Sequence, residues 1–204
     1  MKKKFPFSAM ILAGGRSSRM GEDKALLKFG GVTMVEHLAG VLSPLFEEML
    51  VIVDRRDKTE GLALAGAKVY EDWIKGRGPL AALYTGLLYA RQKAGCVFTC
   101  DMPLVDPEMV RGLAGFWEEG YDAVCLEESG RYQPFPGIYL RSSRHLMRFL
   151  LDKGENSMQK FLGVAAVKPL ILEREKIRLL ANLNTIEDYY RVLKEKKDDQ
   201  VKSN

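Results

Sequence analysis

Residues Phe7–Ala13 form an unbroken apolar run that ends in Gly14-Gly15. A strand covered by helices on both faces reads this way, because it has no polar side to show. The rhythm then repeats along the chain. Thr33–Leu45 places Met34, Leu38, Val41, Leu42 and Leu45 at helical spacing and stops at a turn around Pro44. Met49–Val53 and Ala67–Tyr70 are further short apolar strands, the second leading into Glu71-Asp72. Pro79 opens a helix to about Gln92, proline being favoured in a first turn. Cys96–Cys100 is a fourth strand that runs into Asp101-Met102-Pro103. Pro107 starts another helix, Asp122–Leu126 is a fifth strand, and Gly137–Leu140 is extended. This alternation predicts an α/β fold with a single doubly wound, mainly parallel sheet. The 204 residues suit one domain spanning 1–204, with a charged, solvated tail from about Arg191. Ligands of such sheets bind beyond the carboxyl ends of the strands. Gly14-Gly15, Asp72 and Asp101 all fall at such ends, so the expected site lies there.

The segment from Leu12 to Lys24 (LAGGRSSRMGEDK) carries the chemistry. Two adjacent glycines after a strand let the backbone approach a ligand and turn N–H groups towards phosphate oxygens. Arg19 and Lys24 add fixed positive charge. A Walker loop would need GxxxxGK(S/T), but Glu22 follows Gly21 and Lys24 comes too late. A dinucleotide fingerprint would need GxGxxG, which Gly14-Gly15-Arg16 does not supply. Asp101, at a strand end beside this loop, is the carboxylate that a magnesium–triphosphate complex requires. Alone it would read as a turn former.

LAGGRSSRMGEDKALL resembles the LAGGxSxRMGxDKxL stretch of the molybdenum cofactor guanylyltransferases, within the wider nucleotidyltransferase superfamily. CDMPLV is similar to that family's (C/A)DxPxV. Asp72 followed by Gly78-Pro79-Leu80-Ala81 is similar to its aspartate and GPLAG loop, with Ala82 in place of glycine. Asp54-Arg55 stands where an asparagine is expected near the base. Arg131–Tyr139 is similar to QPxxAxY, with Gly137 in place of alanine, and Asn182–Asp188 to NxNTPxD, with Ile186 in place of proline. The matches fall in 9–27, 69–82, 99–105, 131–139 and 182–188, in the family's order.

The resemblance implies a Rossmann-like nucleotidyltransferase fold and transfer of GMP from GTP to molybdopterin, with release of pyrophosphate. It implies Mg²⁺ as cofactor, held by Asp101. Leu12, Ala13, Gly14, Gly15, Arg19, Lys24, Asp72 and Asp101 would bind the nucleotide, and Arg19, Lys24 and Asp101 would be catalytic. Gln133, Asn182 and Asn184 would face the pterin acceptor. Proteins that deliver or receive the cofactor are the expected partners. Relatives that use CTP carry LAAG, so Gly14 speaks for guanine: a missing methyl leaves room for a purine, although one methyl gives no more than about 1–3 kcal/mol of discrimination. A cytidylyltransferase, a sugar-phosphate nucleotidyltransferase and a non-catalytic nucleotide-binding module are the alternatives.

The remaining features exclude other classes. Net charge is +4 with scattered basic residues, whereas a nucleic-acid surface shows a dense basic stripe. No apolar stretch approaches the ~20 residues that cross a bilayer. Pro6 interrupts the signal-like start, so a cytoplasmic protein is expected. Cys96, Cys100 and Cys125 have no metal or redox spacing and read as core thiols. His37 and His145 lie in helical stretches without metal-spaced partners, and Ser17 and Ser18 lack a base.

Overall fold

The computed structural model of the chain describes residues 4–14 and 23–171. Strand β1 (Phe5–Leu12) is followed by a two-stranded hairpin of β2 (Lys28–Phe29) and β3 (Val32–Thr33), helix α1 (Met34–Leu42), β4 (Phe46–Val53) and β5 (Lys68–Glu71). Then come α2 (Gly78–Tyr89), β6 (Ala94–Thr99), α3 (Pro107–Gly115), β7 (Ala123–Glu128) and β8 (Arg131–Leu140). Helices α4 (Arg144–Asp152) and α5 (Met158–Val164) precede β9 (Val167–Leu170).

Among the described residues the main sheet has seven strands in the order β5-β4-β1-β6-β8-β7-β9. Strands β5, β4, β1 and β6 pair in parallel; β8 is antiparallel to both β6 and β7, and β9 pairs in parallel with β7. The chain first builds outward from β1 to β4 and β5, then returns past β1 to lay down β6. The reversal of strand order therefore lies at β1, where ligands of such sheets bind.

The apolar run predicted this position for β1. Ala9, Met10 and Ile11 are fully buried, and alternate side chains serve opposite faces. Ala9 and Ile11 pack with Val35, Leu38 and Leu42 of α1 and Val110 and Leu113 of α3. Met10 and Leu12 pack with Leu80, Leu83 and Leu87 of α2, and the same layer continues to Met147 of α4 and Phe161 of α5. Each such side chain contributes about 1.5–3 kcal/mol on burial. Helix starts follow local chemistry: Thr33 and Glu36 close a capping box on α1, and Asp106 accepts from the Glu108 and Met109 N–H groups at 2.8 Å at the head of α3.

Several boundaries differ from the expected ones. Helix α2 stops at Tyr89 rather than Gln92, because Ala90 already has extended dihedrals. The extended Gly137–Leu140 segment is only the end of a ten-residue strand. Pro134 and Pro136 mask the rest, since proline reads against a strand interior. They are tolerated because the ladder with β7 jumps from Cys125–Gly137 to Leu126–Gln133, leaving 134–136 in a bulge. The β2–β3 hairpin, α5 and β9 have no counterpart in the sequence reading.

Candidate nucleotide site

Four parallel strands end side by side, and the residue types picked out in the sequence stand at those ends. β1 leads through Ala13 to Gly14, β4 to Asp54, β5 to Asp72 and β6 to Asp101. The backbone ladder continues past the strands: Ala13 N–H donates to Ile52 O at 2.8 Å, Asp72 N–H to Val53 O at 2.7 Å, and Cys100 N–H to Leu12 O at 3.4 Å. These bonds fix the four ends relative to one another.

Asp101 accepts a hydrogen bond from the Thr99 hydroxyl at 2.5 Å on Oδ1, and its Oδ2 lies 3.8 Å from Lys24 Nζ. The Lys24 and Asp101 side chains are 24% and 22% exposed. A loose pair of that kind adds at most about 1 kcal/mol to stability. Its juxtaposition of a cation and a hard oxygen donor is chemically useful instead. Lys24 opens a short 3-10 turn (Lys24–Leu26) whose first N–H groups are capped by Asp23, with Ala25 N–H donating to Asp23 Oδ1 at 3.1 Å.

Asp72 is held from its own element and from α2. It accepts the Ile74 N–H at 3.2 Å, and the Thr85 hydroxyl lies 2.9 Å from the same oxygen. That hydroxyl in turn accepts the Trp73 N–H at 3.0 Å. Burial pushes the Asp72 carboxyl above its ordinary range, against the Thr85 and Ile74 hydrogen bonds, and the nearby Asp54 charge pushes the same way. A hollow of about 340 Å³ on the β5 edge is lined by Arg56, Tyr70, Glu71, Asp72, Trp73 and Tyr89. It shares Asp72 with the strand-end cluster, and neither Gly14, Lys24 nor Asp101 lines it.

Gly14 owes its absent side chain to a close approach. A Cβ there would lie 3.2 Å from Asp54 N. An alanine methyl would therefore press on the end of β4, which would have to give by a few tenths of an ångström. Ala82, the departure from the GPLAG pattern, lies inside α2 and is buried in the core.

Gln133 belongs to β8. The last β6–β8 pair is Val97–Gly137, so the first half of β8 extends past it on the side where the parallel strands end. Gln133 is thus on the same edge of the sheet as Asp101. Gly137 is required there: a Cβ would lie 2.8 Å from Pro134 O and 3.1 Å from Val124 O. Gly15, Arg19, Asn182 and Asn184 lie outside the described residues.

The residues given no chemical role behave accordingly. Cys96, Cys100 and Cys125 are buried, and burial pushes each thiol well up, Cys125 to about 12. His37 packs edge-on against Phe29 and has Nε2 3.0 Å from Pro103 O, tying α1 to the loop after Asp101. His145 is exposed on α4. The sequence reading passed over Lys58, which pairs with Asp23 at 2.5 Å and Asp54 at 2.6 Å. Its four-residue spacing from Asp54 was the available signal, but a short surface turn does not announce which way a lysine faces.

The donor chemistry fits Mg²⁺. Asp101 offers hard carboxylate oxygen, and among the described residues no group of three or more His, Cys, Asp or Glu could hold a metal ion. Mg²⁺ needs no such cage, since it takes one or two carboxylates and completes its shell from phosphate and water. Among the described residues no helix is long and apolar enough to cross a membrane.

Known proteins share this family and this fold. The MobA-like NTP transferase domain matches residues 9–197. A protein of Carboxydothermus hydrogenoformans described as a probable molybdenum cofactor guanylyltransferase is 37% identical over 191 residues, covering 90% of this chain and 93% of the relative. A relative of the same description from Bacillus cytotoxicus is 30% identical over 93% of this chain and 98% of its own length. Among solved structures, molybdopterin-guanine dinucleotide biosynthesis protein A of Archaeoglobus fulgidus superposes with a TM-score of 0.81 at 22% identity, covering 94% of this chain and 100% of that one, which shows a shared fold. With the family matched along nearly its whole length and the strand-end site in place, the chain belongs to the MobA-like NTP transferases and is a nucleotidyltransferase.

Proposed function

We propose that this cytoplasmic enzyme transfers GMP from GTP to the terminal phosphate of molybdopterin, forming the guanine dinucleotide cofactor. The observation that carries the reading is the meeting of Gly14, Lys24 and Asp101 at the adjacent ends of β1 and β6. The relatives described as molybdenum cofactor guanylyltransferases support the choice of substrates.

An oxygen of the acceptor phosphate forms a bond to the α-phosphorus of GTP. The bond from that phosphorus to the β-phosphate oxygen breaks, and pyrophosphate leaves with the electron pair. The attacking phosphate is already anionic, so no side-chain nucleophile or base is needed. Catalysis is then positioning and charge neutralisation. The backbone at Leu12–Gly15 cradles the phosphates, while Lys24 and Arg19 offset the charge on the transferring and leaving groups. Asp101 would hold Mg²⁺, which would supply charge neutralisation for the phosphates. Thr99 fixes the rotamer of Asp101 by donating to Oδ1. Asp72, anchored by Thr85, accepts hydrogen bonds from the nucleoside. Gln133, Asn182 and Asn184 meet the pterin edge, and proteins that deliver or receive the cofactor are its partners.

Pyrophosphate release with Mg²⁺ and a molybdopterin acceptor, compared across GTP, CTP, ATP and UTP, tests this reading. GTP should be preferred, with dependence on both metal and acceptor. Preference for CTP would retain the site and overturn the guanine assignment. Tight GTP binding without turnover would instead favour a non-catalytic binding module.

A further inference from the structure

We propose that Lys58 is a positioning residue for the nucleoside triphosphate: by ion-pairing Asp23 and Asp54 it ties the segment after the glycine loop to the strand end beside Gly14 and offsets half the charge of two carboxylates beside the anion. This rests on the nucleotide-binding reading above. Lys58 sits in a 3-10 turn (Arg56–Thr59) just after β4, and its side chain is only 15% exposed. The flanking basic side chains face outward: Arg55 pairs with exposed Asp57, and the Arg56 guanidinium donates to Val69 O on the β5 edge, while its backbone N–H donates to Glu71 Oε1. Lys58 alone of the three turns inward, to Asp23 Oδ2 at 2.5 Å and Asp54 Oδ1 at 2.6 Å. Burial works against its charge, but the hydrogen bonds to both aspartates outweigh it and hold its pKa above the ordinary value.

The two partners stand at significant points. Asp23 caps the turn that carries Lys24, so fixing Asp23 fixes the backbone from which Lys24 reaches Asp101. Asp54 is the residue whose backbone N lies against Gly14. One ammonium therefore ties the segment after the loop to the strand end against which the loop begins. Its electrostatic role is equally direct. Asp54 acts electrostatically on Asp72, and Asp23 and Asp101 both act on Cys100. These carboxylates therefore surround the strand ends where the proposed triphosphate would lie, and like charges repel more in a partly buried site than in water. A cation hydrogen-bonded to two of them lowers that repulsion without competing for the phosphates.

The test measures GTP KM, kcat and thermal midpoint for the wild type, Lys58→Met, Lys58→Arg and Lys58→Met/Asp54→Asn. Lys58→Met should raise the GTP KM by roughly tenfold or more while kcat falls less than about threefold. Lys58→Arg, which keeps the charge, should stay within about threefold of the wild-type KM. The double variant, with one carboxylate neutralised, should recover part of the loss seen in Lys58→Met. Should Lys58→Met fail to fold, Lys58→Gln and the double variant carry the same comparison. A GTP KM within about twofold of wild type in folded Lys58→Met, whatever its thermal midpoint, would reduce Lys58 to a structural ion pair and overturn the proposal. Absence of turnover and binding for GTP in the wild type would overturn the nucleotide reading itself, and is separable because the wild type is measured alone.

Discussion

From β5 through β4 and β1 to β6 the sheet is parallel, while from β8 through β7 to β9 it contains a reversed strand, three prolines and a bulge. The parallel half brings Gly14, Asp54, Asp72 and Asp101 to one edge simply because all four strands point the same way. The other half reaches that edge with the start of β8, and so contributes Gln133 from a strand interior rather than a strand end. On the proposed function, nucleotide chemistry belongs to the parallel half and acceptor contact to the reversed strand, and substitutions in the two halves should fail differently.

The sharpest separation is expected at Asp101. Asp101→Ala should lower kcat by roughly 10³-fold or more while the thermal midpoint, read by calorimetry, moves little, since among the described residues the side chain has one short-range hydrogen bond and a loose, part-exposed ion pair with Lys24. Substantial magnesium-dependent turnover in this variant would remove the parallel half from its assigned role. Lys24→Ala should cost roughly 10²-fold in kcat/KM for GTP and leave acceptor affinity unchanged, measured by varying each substrate in turn.

Asp72 gives a pH signature. Its native pKa lies above the unfolded value, so the native state binds more protons in the window between them. Stability contributed by this group is present below the unfolded pKa and is lost as pH rises through the native one. Denaturant titrations across the acid range should show that slope in the wild type and a smaller one in Asp72→Asn. An unchanged slope would show that Asp72 is not desolvated as described.

On the reversed-strand side the effects are smaller and differ in kind. Gly137→Ala should destabilise the fold by about 1–3 kcal/mol, since its methyl meets backbone oxygen rather than a yielding side chain. Gln133→Ala should raise the acceptor KM by roughly threefold to tenfold with the GTP KM unchanged. A rise in the GTP KM alone would break the division between the halves.

The contrast also explains what the sequence made legible. Buried parallel strands announce themselves as continuous apolar runs, so β1, β4 and β6 and the polar residues after them were readable, and the fold class with them. Asp101 and Gly14 were found because each directly follows such a run. β8 was read only in part, because Pro134 and Pro136 hide a strand whose bulge absorbs them. The clash awaiting a methyl at Gly137 depends on Val124 O of a neighbouring strand, a contact that a linear reading does not supply. Lys58 was missed for the same reason: its tie to Asp23 crosses 35 positions in sequence and exists only once β4 lies beside β1.

The most direct test of the account is a crystal structure with Mg²⁺ and a non-hydrolysable GTP analogue. The triphosphate should lie over Gly14 with Lys24 on its oxygens, the metal on Asp101, and the nucleoside towards Asp72. A nucleotide found instead in the hollow between Arg56, Trp73 and Tyr89, with Asp101 and Lys24 untouched, would contradict the assignment of the strand-end cluster as the active site.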